Sequence, residues 1–367
     1  MNLSKQGSSM RLGTLIFAAT ASLALASSSM AFEPLTIIDQ GSFSAGGAVI
    51  SEPGTFDSKA PLKSAGQTFH GDHAYSFYQV PEAPRELPLV LWHGAFQSGK
   101  SWETTADGRE GFQTLMLRRH FSVHTIDQPR RGRAGNSTVA AEVKPTAYDQ
   151  LFFDMFRIGQ WPNYFDKVQF DTSEASLAEF FRSVTPNTGA FDPQVVSDGV
   201  SALVDKTGPA ILVTHSQAGG PGWLTAIKNP NVKAIISYEP GSGYVFPENE
   251  MPEPISGSAG TLKPEAVSLE DFAKLTRIPI VVYYGDNIPD DPTDDFGLDN
   301  WRTRLAMARL WVDAINRHGG DASLVHLPDL GIYGNTHFIF SDLNNQQIAD
   351  LATEWIEEKG LGNTAPK

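Results

Sequence analysis

Ser216 occupies a position that favours nucleophilic chemistry. It follows the apolar residues 210–213 and lies in the segment HSQAGG, residues 215–220. A serine hydroxyl becomes an effective nucleophile when a histidine takes its proton as it attacks an acyl carbon. A carboxylate that orients the imidazole and stabilises its charged form completes such a system. The segment therefore predicts hydrolysis through an acyl-enzyme, with a histidine and an acid supplied from elsewhere in the chain.

Four candidate functional features follow the predicted parallel strands, namely the turn at residues 94–95 with its backbone N–H groups, Ser216, Glu239 and His337. Open α/β sheets bind ligands beyond the carboxyl ends of their strands, so we expect these four features to meet at one edge. Nucleophile, acid and histidine follow each other in this same chain order in α/β-hydrolases. The order and the positions together predict a catalytic triad of Ser216, His337 and an acid.

Two backbone N–H groups at the same edge are expected to form an oxyanion hole. One belongs to Ala95, in the turn after a predicted strand, and the other to Gln217, at the start of the helix that follows Ser216. Both would donate to the negative charge that develops on the attacked carbonyl oxygen. A donor of this kind typically stabilises the transition state by about 3–4 kcal/mol.

Strands that alternate with helical stretches must position these residues, which predicts a mostly parallel central sheet flanked by helices. We predict strands over residues 73–80, 87–92, 121–127, 210–213, 232–238, 278–284 and 323–327. We predict helices over residues 110–119, 174–182, 193–206, 223–228, 301–317 and 346–359. Ser216 then lies at the strand-to-helix turn of an α/β-hydrolase, where the sequence motif is usually G-x-S-x-G. Here the two small positions are Thr214 and Ala218, and Thr214 is bulky for the expected close approach of strand and helix.

Three regions are expected along the chain. Residues 1–31 have a basic start, a short apolar stretch and a small-residue cleavage site, which predicts a secretory signal peptide. Residues 32–139 and 208–367 form the hydrolase core, and residues 140–207 form a helical, aromatic cap over the strand ends. Trp161 and Phe165 of this cap are candidates for the wall of an apolar substrate pocket.

Composition narrows the possible partners. The formal net charge of −14 argues against nucleic acid and against anionic membrane surfaces. The chain has no cysteine, which excludes disulfides, thiol catalysis and thiolate metal sites. Beyond residue 31 no stretch is long and apolar enough for a membrane span. We expect a small-molecule ester substrate, no cofactor and no metal, and a homodimer stays open.

The acid has two candidates, because Glu239 and Asp286 both follow predicted strands. Many α/β-hydrolases take their acid from the end of the later strand, so the residues alone slightly favour Asp286. Two other histidines compete with His337 by position. His318 lies late in a predicted helix and His326 lies within a predicted strand, so neither is aimed at the sheet edge.

The chain resembles the bacterial esterase 713 family, a group of exported α/β-hydrolases. The resemblance runs from about Gly41 to the last helix and is weakest through the cap. It is carried by residues 92–94 and 102–105, 126–133, 215–219, 239–241 and 334–337. It implies a Ser–His–Glu triad in which the family's serine, histidine and glutamate match Ser216, His337 and Glu239. The resemblance therefore favours Glu239 over Asp286 as the acid.

Other polar clusters are expected to be structural. Arg130, Arg131 and Arg133 follow a predicted strand, and we expect them to pair with acidic neighbours rather than to bind substrate. His93 and His215 are expected to make structural hydrogen bonds. The segment HGDH at residues 70–73 and the acidic residues 290–295 lack the ligand sets of metal sites.

We therefore expect an exported serine esterase, either periplasmic or secreted. A lactonase, an amidase or a polyester depolymerase would use the same triad. A non-catalytic binding protein on a hydrolase scaffold is the alternative from another class. The presence of all three triad residue types argues against a scaffold that has lost its activity.

Overall fold

Eight strands form the central sheet of the computed structural model, which describes residues 33–365. In chain order they are β1 (Ile37–Ala45), β2 (Ala74–Pro81), β3 (Leu89–Trp92), β4 (Val123–Asp127), β5 (Ala210–His215), β6 (Val232–Tyr238), β7 (Pro279–Tyr284) and β8 (Asp321–His326). Across the sheet their order is β1-β2-β4-β3-β5-β6-β7-β8. β2 is antiparallel to β1 and to β4, and the other neighbouring strands are parallel. The predicted mostly parallel sheet is confirmed, and the predicted signal peptide lies outside the described residues.

Helices cover both faces of this sheet. They are α1 (Phe112–Arg118), α2 (Asp149–Met155), α3 (Glu174–Arg182), α4 (Pro193–Thr207), α5 (Gly219–Lys228), α6 (Leu269–Leu275), α7 (Phe296–Arg317) and α8 (Asn345–Glu358). In β3, Leu89 and Leu91 join the hydrophobic cluster that contains α1 and α8, whereas Val90 and Trp92 join the one that contains α4, α5 and α7. The central strands are continuous apolar runs because both of their faces are covered.

Two helices begin earlier than the sequence pattern predicts. α5 begins at Gly219 rather than at residue 223. It includes Pro221 in its first turn, where the N–H that proline lacks would have no partner within the helix. α7 begins at Phe296 rather than at residue 301, because the Asp295 side chain caps it by accepting from the Leu298 N–H. The first turns of these helices contain glycine, proline or acidic residues, so a pattern of apolar residues does not predict where they begin.

The segment between β4 and β5 has two structurally different parts. α2, α3 and a small hairpin of Gly159–Gln160 with Asn163–Tyr164 contribute aromatic side chains to the cluster that contains α1 and α8. α4 instead packs against α5 and against β1 and β2, on the face of the sheet. The boundaries of a cap at residues 140–207 stay a prediction. Within residues 33–365, every helix is too short or too polar to cross a membrane.

Candidate active site

Ser216 lies directly after β5, at the start of a short turn that leads into α5. Its φ of +54° is in the left-handed region, which is uncommon for a residue with a side chain and costs free energy. The residue is 8% exposed. A strained backbone of this kind is typical of functional sites and holds the side chain at the strand-to-helix corner.

The structure explains how Thr214 fits where a glycine is usual. A Cβ on Gly222 of α5 would come within 2.8 Å of Thr214 Cγ2, so the glycine that close packing requires is on the helix instead of on the strand. The Thr214 hydroxyl donates to Ser237 Oγ at 2.9 Å. Close strand–helix packing is therefore kept, although the strand carries the larger residue.

Glu239 and His337 form a fully buried pair. Glu239 follows β6, with a φ of +48°, and its Oε2 lies 2.6 Å from His337 Nδ1. Because a carboxylate can only accept, Nδ1 carries the proton in this pair and Nε2 is left with a lone pair. Within the described part of the chain His337 Nε2 has no hydrogen-bond partner, Ser216 included. Catalytic hydrogen bonds are often long in unliganded enzymes and shorten when substrate binds.

Asp286, the competing acid, makes different contacts. Its Oδ2 accepts from the Gly334 N–H at 2.7 Å, and its own N–H donates to the Asn335 carbonyl at 2.9 Å. The carboxylate of Asp286 thus holds the loop that carries His337, whereas the carboxylate of Glu239 contacts the imidazole itself.

Arg157 is a residue of this site that sequence reasoning missed. Its buried Nη2 donates to Glu239 Oε1, and its Nε donates to the Asp286 carbonyl at 2.8 Å. Its guanidinium lies 5.2 Å from the ring centre of Trp301. A single arginine within the aromatic segment FFDMFRIG was the available signal, since a buried charge requires a buried partner.

These contacts set the charge states of the pair. Burial by itself would raise the pKa of Glu239, but the Arg157 charge and the hydrogen bond with His337 outweigh it and lower that pKa. Burial is also the main cause that lowers the pKa of His337, and the bond to Glu239 opposes it only in part. At neutral pH the pair is therefore a carboxylate with a neutral imidazole, which is the form that can accept a proton at Nε2.

The turn after β3 faces Ser216 closely. A Cβ on Gly94 would come within 2.7 Å of Ser216 Cβ, so only glycine fits there. Among the described residues, the N–H groups of Ala95 and Gln217 have no hydrogen-bond partner. His215 links this turn to the histidine loop: its Nδ1 lies 2.9 Å from Gln97 Oε1, and its Nε2 lies 2.9 Å from the His337 carbonyl. The residue before Ser216 thus joins the turn after β3 and the His337 loop in one hydrogen-bonded network.

A row of aromatic rings runs from the surface to His337. Phe96, which is 38% exposed, contacts Phe152 at a ring-centre distance of 5.3 Å. Phe152 stacks on Phe156 at 5.2 Å, and Phe156 stacks on the His337 ring at 5.1 Å. Exposed Tyr148 lies beside Phe96 and Phe152. Phe96 lies in the turn after β3, and the other three rings lie in the region predicted to be an aromatic cap, but none of the four was a predicted pocket residue.

The two predicted pocket residues lie elsewhere in the segment. Trp161 is 44% exposed and packs edge-on against Phe153 at 5.3 Å. Phe165 is half-buried, and its N–H donates to the Ile158 carbonyl at 3.2 Å. No ring contact joins either side chain to His337 within residues 33–365.

The comparisons with known proteins agree with this architecture. Residues 89–352 match the model of the alpha/beta hydrolase family. The probable secreted lipase phiG of Fungal sp. (strain ATCC 74256) is 26% identical over 317 residues, which cover 76% of this chain and 84% of the lipase. The structure of a novel bacterial esterase is 31% identical and superposes with a TM-score of 0.72, covering 89% of this chain and 98% of the esterase. The chain belongs to the alpha/beta hydrolase family and has the fold of its lipases and esterases.

Proposed function

We propose that this protein is a serine esterase with Ser216, His337 and Glu239 as its catalytic triad. The observation that carries the proposal is the buried contact between Glu239 and His337, because it leaves the His337 Nε2 lone pair free, while His215, the residue before the strained Ser216, contacts the His337 carbonyl. The 31% identity to a bacterial esterase supports the same chemistry. The Ser–His–Glu residue set also supports membership of the esterase 713 group within the family.

In the proposed reaction, Ser216 Oγ attacks the ester carbonyl while His337 Nε2 takes the hydroxyl proton. Glu239 stabilises the imidazolium that forms. The carbonyl oxygen becomes an oxyanion, to which the N–H groups of Ala95 and Gln217 donate. Collapse of this tetrahedral intermediate expels the alcohol, which receives the proton from His337. Water then attacks the acyl-enzyme by the same steps and releases the carboxylic acid.

The substrate class follows from the aromatic row. We propose that Phe96, Tyr148 and Phe152 form a wall for an apolar part of the ester, because their rings lead from the surface to the imidazole. The predicted pocket residues Trp161 and Phe165 would lie farther along this covering segment. We propose that the cover consists of α2, the hairpin and α3, with α4 belonging to the core.

Export is proposed on two grounds. Residues 1–31 have the pattern of a signal peptide, and the related fungal protein is named a secreted lipase. Expression of the full chain in a bacterial host, followed by mass determination of the protein in the periplasmic or secreted fraction, would test this. Removal of residues 1–31 is the expected result, and an intact N-terminus in the cytoplasm would contradict it.

A panel of aryl esters graded in acyl length tests the enzymatic proposal. The wild-type chain should hydrolyse esters in the panel without added cofactor or metal. Ser216→Ala should keep its melting temperature and lose almost all turnover, because the members of a triad act as a unit. Tight binding of esters without any turnover by the wild type would instead favour the non-catalytic binding protein.

A further inference from the structure

Arg131 is a buried arginine whose surroundings differ from those of its neighbours. Arg130 pairs with Asp72, and Arg133 pairs with Asp127, each at 2.8 Å. These two ion pairs agree with the prediction of acidic partners. Arg131 is 0% exposed, and within residues 33–365 no carboxylate lies within ion-pair distance of it, so the prediction was wrong for this residue. A buried charge without a counter-ion costs considerable free energy, so its contacts require an explanation.

The guanidinium of Arg131 binds the turn that faces Ser216. Its Nη1 donates to the Gly94 carbonyl at 3.1 Å and to the Gln97 carbonyl at 2.9 Å. Its Nε donates to Asn187 Oδ1 at 2.6 Å, and its Nη2 lies 3.5 Å from Gln217 Oε1. One side chain therefore contacts both of the segments that carry the proposed oxyanion donors.

These contacts fix the direction of the Ala95 N–H. In a trans peptide the C=O and the N–H point in opposite directions. The Gly94 carbonyl is held by Arg131 and lies 2.9 Å from His93 Nδ1. The Ala95 N–H must therefore point away from the guanidinium. The preceding peptide is held as well, because the Gly94 N–H donates to Gln97 Oε1 at 3.0 Å.

We propose that Arg131 is the positioning residue of the oxyanion hole, orienting the Ala95 N–H through the Gly94 carbonyl and keeping behind it a positive charge that no carboxylate of residues 33–365 contacts directly. This inference rests on the proposed esterase function. Burial lowers the pKa of Arg131 to about 10, against the opposing charge of Asp127, so the guanidinium stays protonated at neutral pH. A fixed positive charge in a site with little water stabilises a developing oxyanion without reorganisation at the moment of reaction.

Substitution of Arg131 should change kcat far more than KM. We expect Arg131→Met to lower kcat by about 10²-fold, comparable to the loss of one oxyanion donor, with KM within about twofold. Arg131→Lys keeps the charge but loses the planar guanidinium, which contacts the two carbonyls, Asn187 and Gln217 at the same time, so its kcat should lie between those of Arg131→Met and the wild type. Folded Arg131→Met protein with a wild-type kcat would overturn the proposal.

A transition-state analogue separates positioning from general stability. Ser216 Oγ adds to the carbonyl of an aryl trifluoromethyl ketone, its proton passes to His337, and the adduct carries the oxyanion. The inhibition constant of this ketone should rise in Arg131→Lys and Arg131→Met in proportion to the fall in kcat/KM. An inhibition constant that stays constant while only the melting temperature falls would assign Arg131 a structural role alone.

Asn187→Asp tests the charge without removing Arg131. The new carboxylate would give the guanidinium its missing counter-ion at the position of Asn187 Oδ1. We expect the variant to melt no lower than the wild type and to show a kcat about tenfold lower, with the acid group ionised at neutral pH. A kcat equal to that of the wild type would overturn the electrostatic part of the proposal.

The same measurements distinguish the failure of this inference from the failure of the esterase proposal. If the wild type hydrolyses esters and binds the ketone but the Arg131 variants do so equally well, only the role of Arg131 is wrong. If the wild type neither turns over esters nor forms the adduct, the esterase proposal fails and the oxyanion role fails with it.

Discussion

The turns at the strand ends and the segment between β4 and β5 meet at His337, but they contribute in different ways. The turns after β3, β5 and β6 carry groups that we propose for the chemistry, namely the Ala95 N–H, Ser216 and Glu239. The inserted segment supplies Arg157, which binds Glu239, and Phe156. The Phe156 ring stacks on His337, and the Phe156 carbonyl accepts a hydrogen bond from the His337 backbone N–H at 2.9 Å. In the proposed site, the sheet edge therefore carries the reacting groups, whereas the inserted segment sets their charge and covers them.

The largest effect is expected from the acid at the strand end. Glu239→Gln should lower kcat/KM by about 10⁴-fold, as the comparable change does in the serine-protease triad that serves as the standard example, because an amide cannot stabilise the imidazolium. Asp286→Asn is the matched control. It keeps the loop contacts to Gly334 and should lower the rate only mildly. A crippling Asp286→Asn together with a mild Glu239→Gln would move the triad acid to the end of β7.

The next effect tests the inserted segment. Arg157→Met leaves Glu239 buried without its cation, and we expect the free energy of unfolding to fall by about 3–5 kcal/mol. Arg182→Met, in the same segment, is the control. Its side chain is exposed and its ion pair with Glu179 is long, so the change should cost less than about 1 kcal/mol. Chemical denaturation of both variants measures the difference, and equal losses would contradict the role given to Arg157.

Arg157→Met should also shift the pH profile in a defined direction. Burial first, and the Arg157 charge in addition, lower the pKa of His337 in the wild type. The acid limb of kcat/KM should therefore lie below pH 6.5 in the wild type, with activity lost as the pH falls through it. Without Arg157 the Glu239–His337 pair takes up its proton at higher pH, so the limb should move upward. A limb that stays in place or moves downward would show that Arg157 does not tune the pair.

The extent of sequence prediction follows the same division. Ser216 and His337 could be predicted as members of the proposed triad because the ends of parallel strands meet at one edge, whereas Glu239 was preferred to Asp286 only through the family resemblance. Arg157 was not identifiable, because its partner is 82 residues away and no local pattern links the two. Positive φ at Ser216 and Glu239 is equally invisible in the residue types. The fold of the inserted segment depends on long-range aromatic contacts, so its pocket residues were the weakest of the predictions.

The smallest effect should come from the aromatic row. Phe96→Ala removes a half-exposed ring at the outer end of the row and should change the preference among acyl lengths by about tenfold, with little change in melting temperature. Trp161→Ala removes a similarly exposed ring that packs on Phe153 instead. We expect Trp161→Ala to change the preference less. The reverse ranking in the ester panel would favour Trp161 as the pocket wall.

The central claim is that Ser216 is the nucleophile activated by His337. The most direct test is the intact mass of the protein after reaction with a fluorophosphonate. The expected result is a mass increase of a single phosphonyl group on Ser216 in the wild type, none in Ser216→Ala, and much slower labelling in Glu239→Gln. Labelling of Ser216→Ala at the wild-type rate, or no labelling of an ester-hydrolysing wild type, would contradict the account.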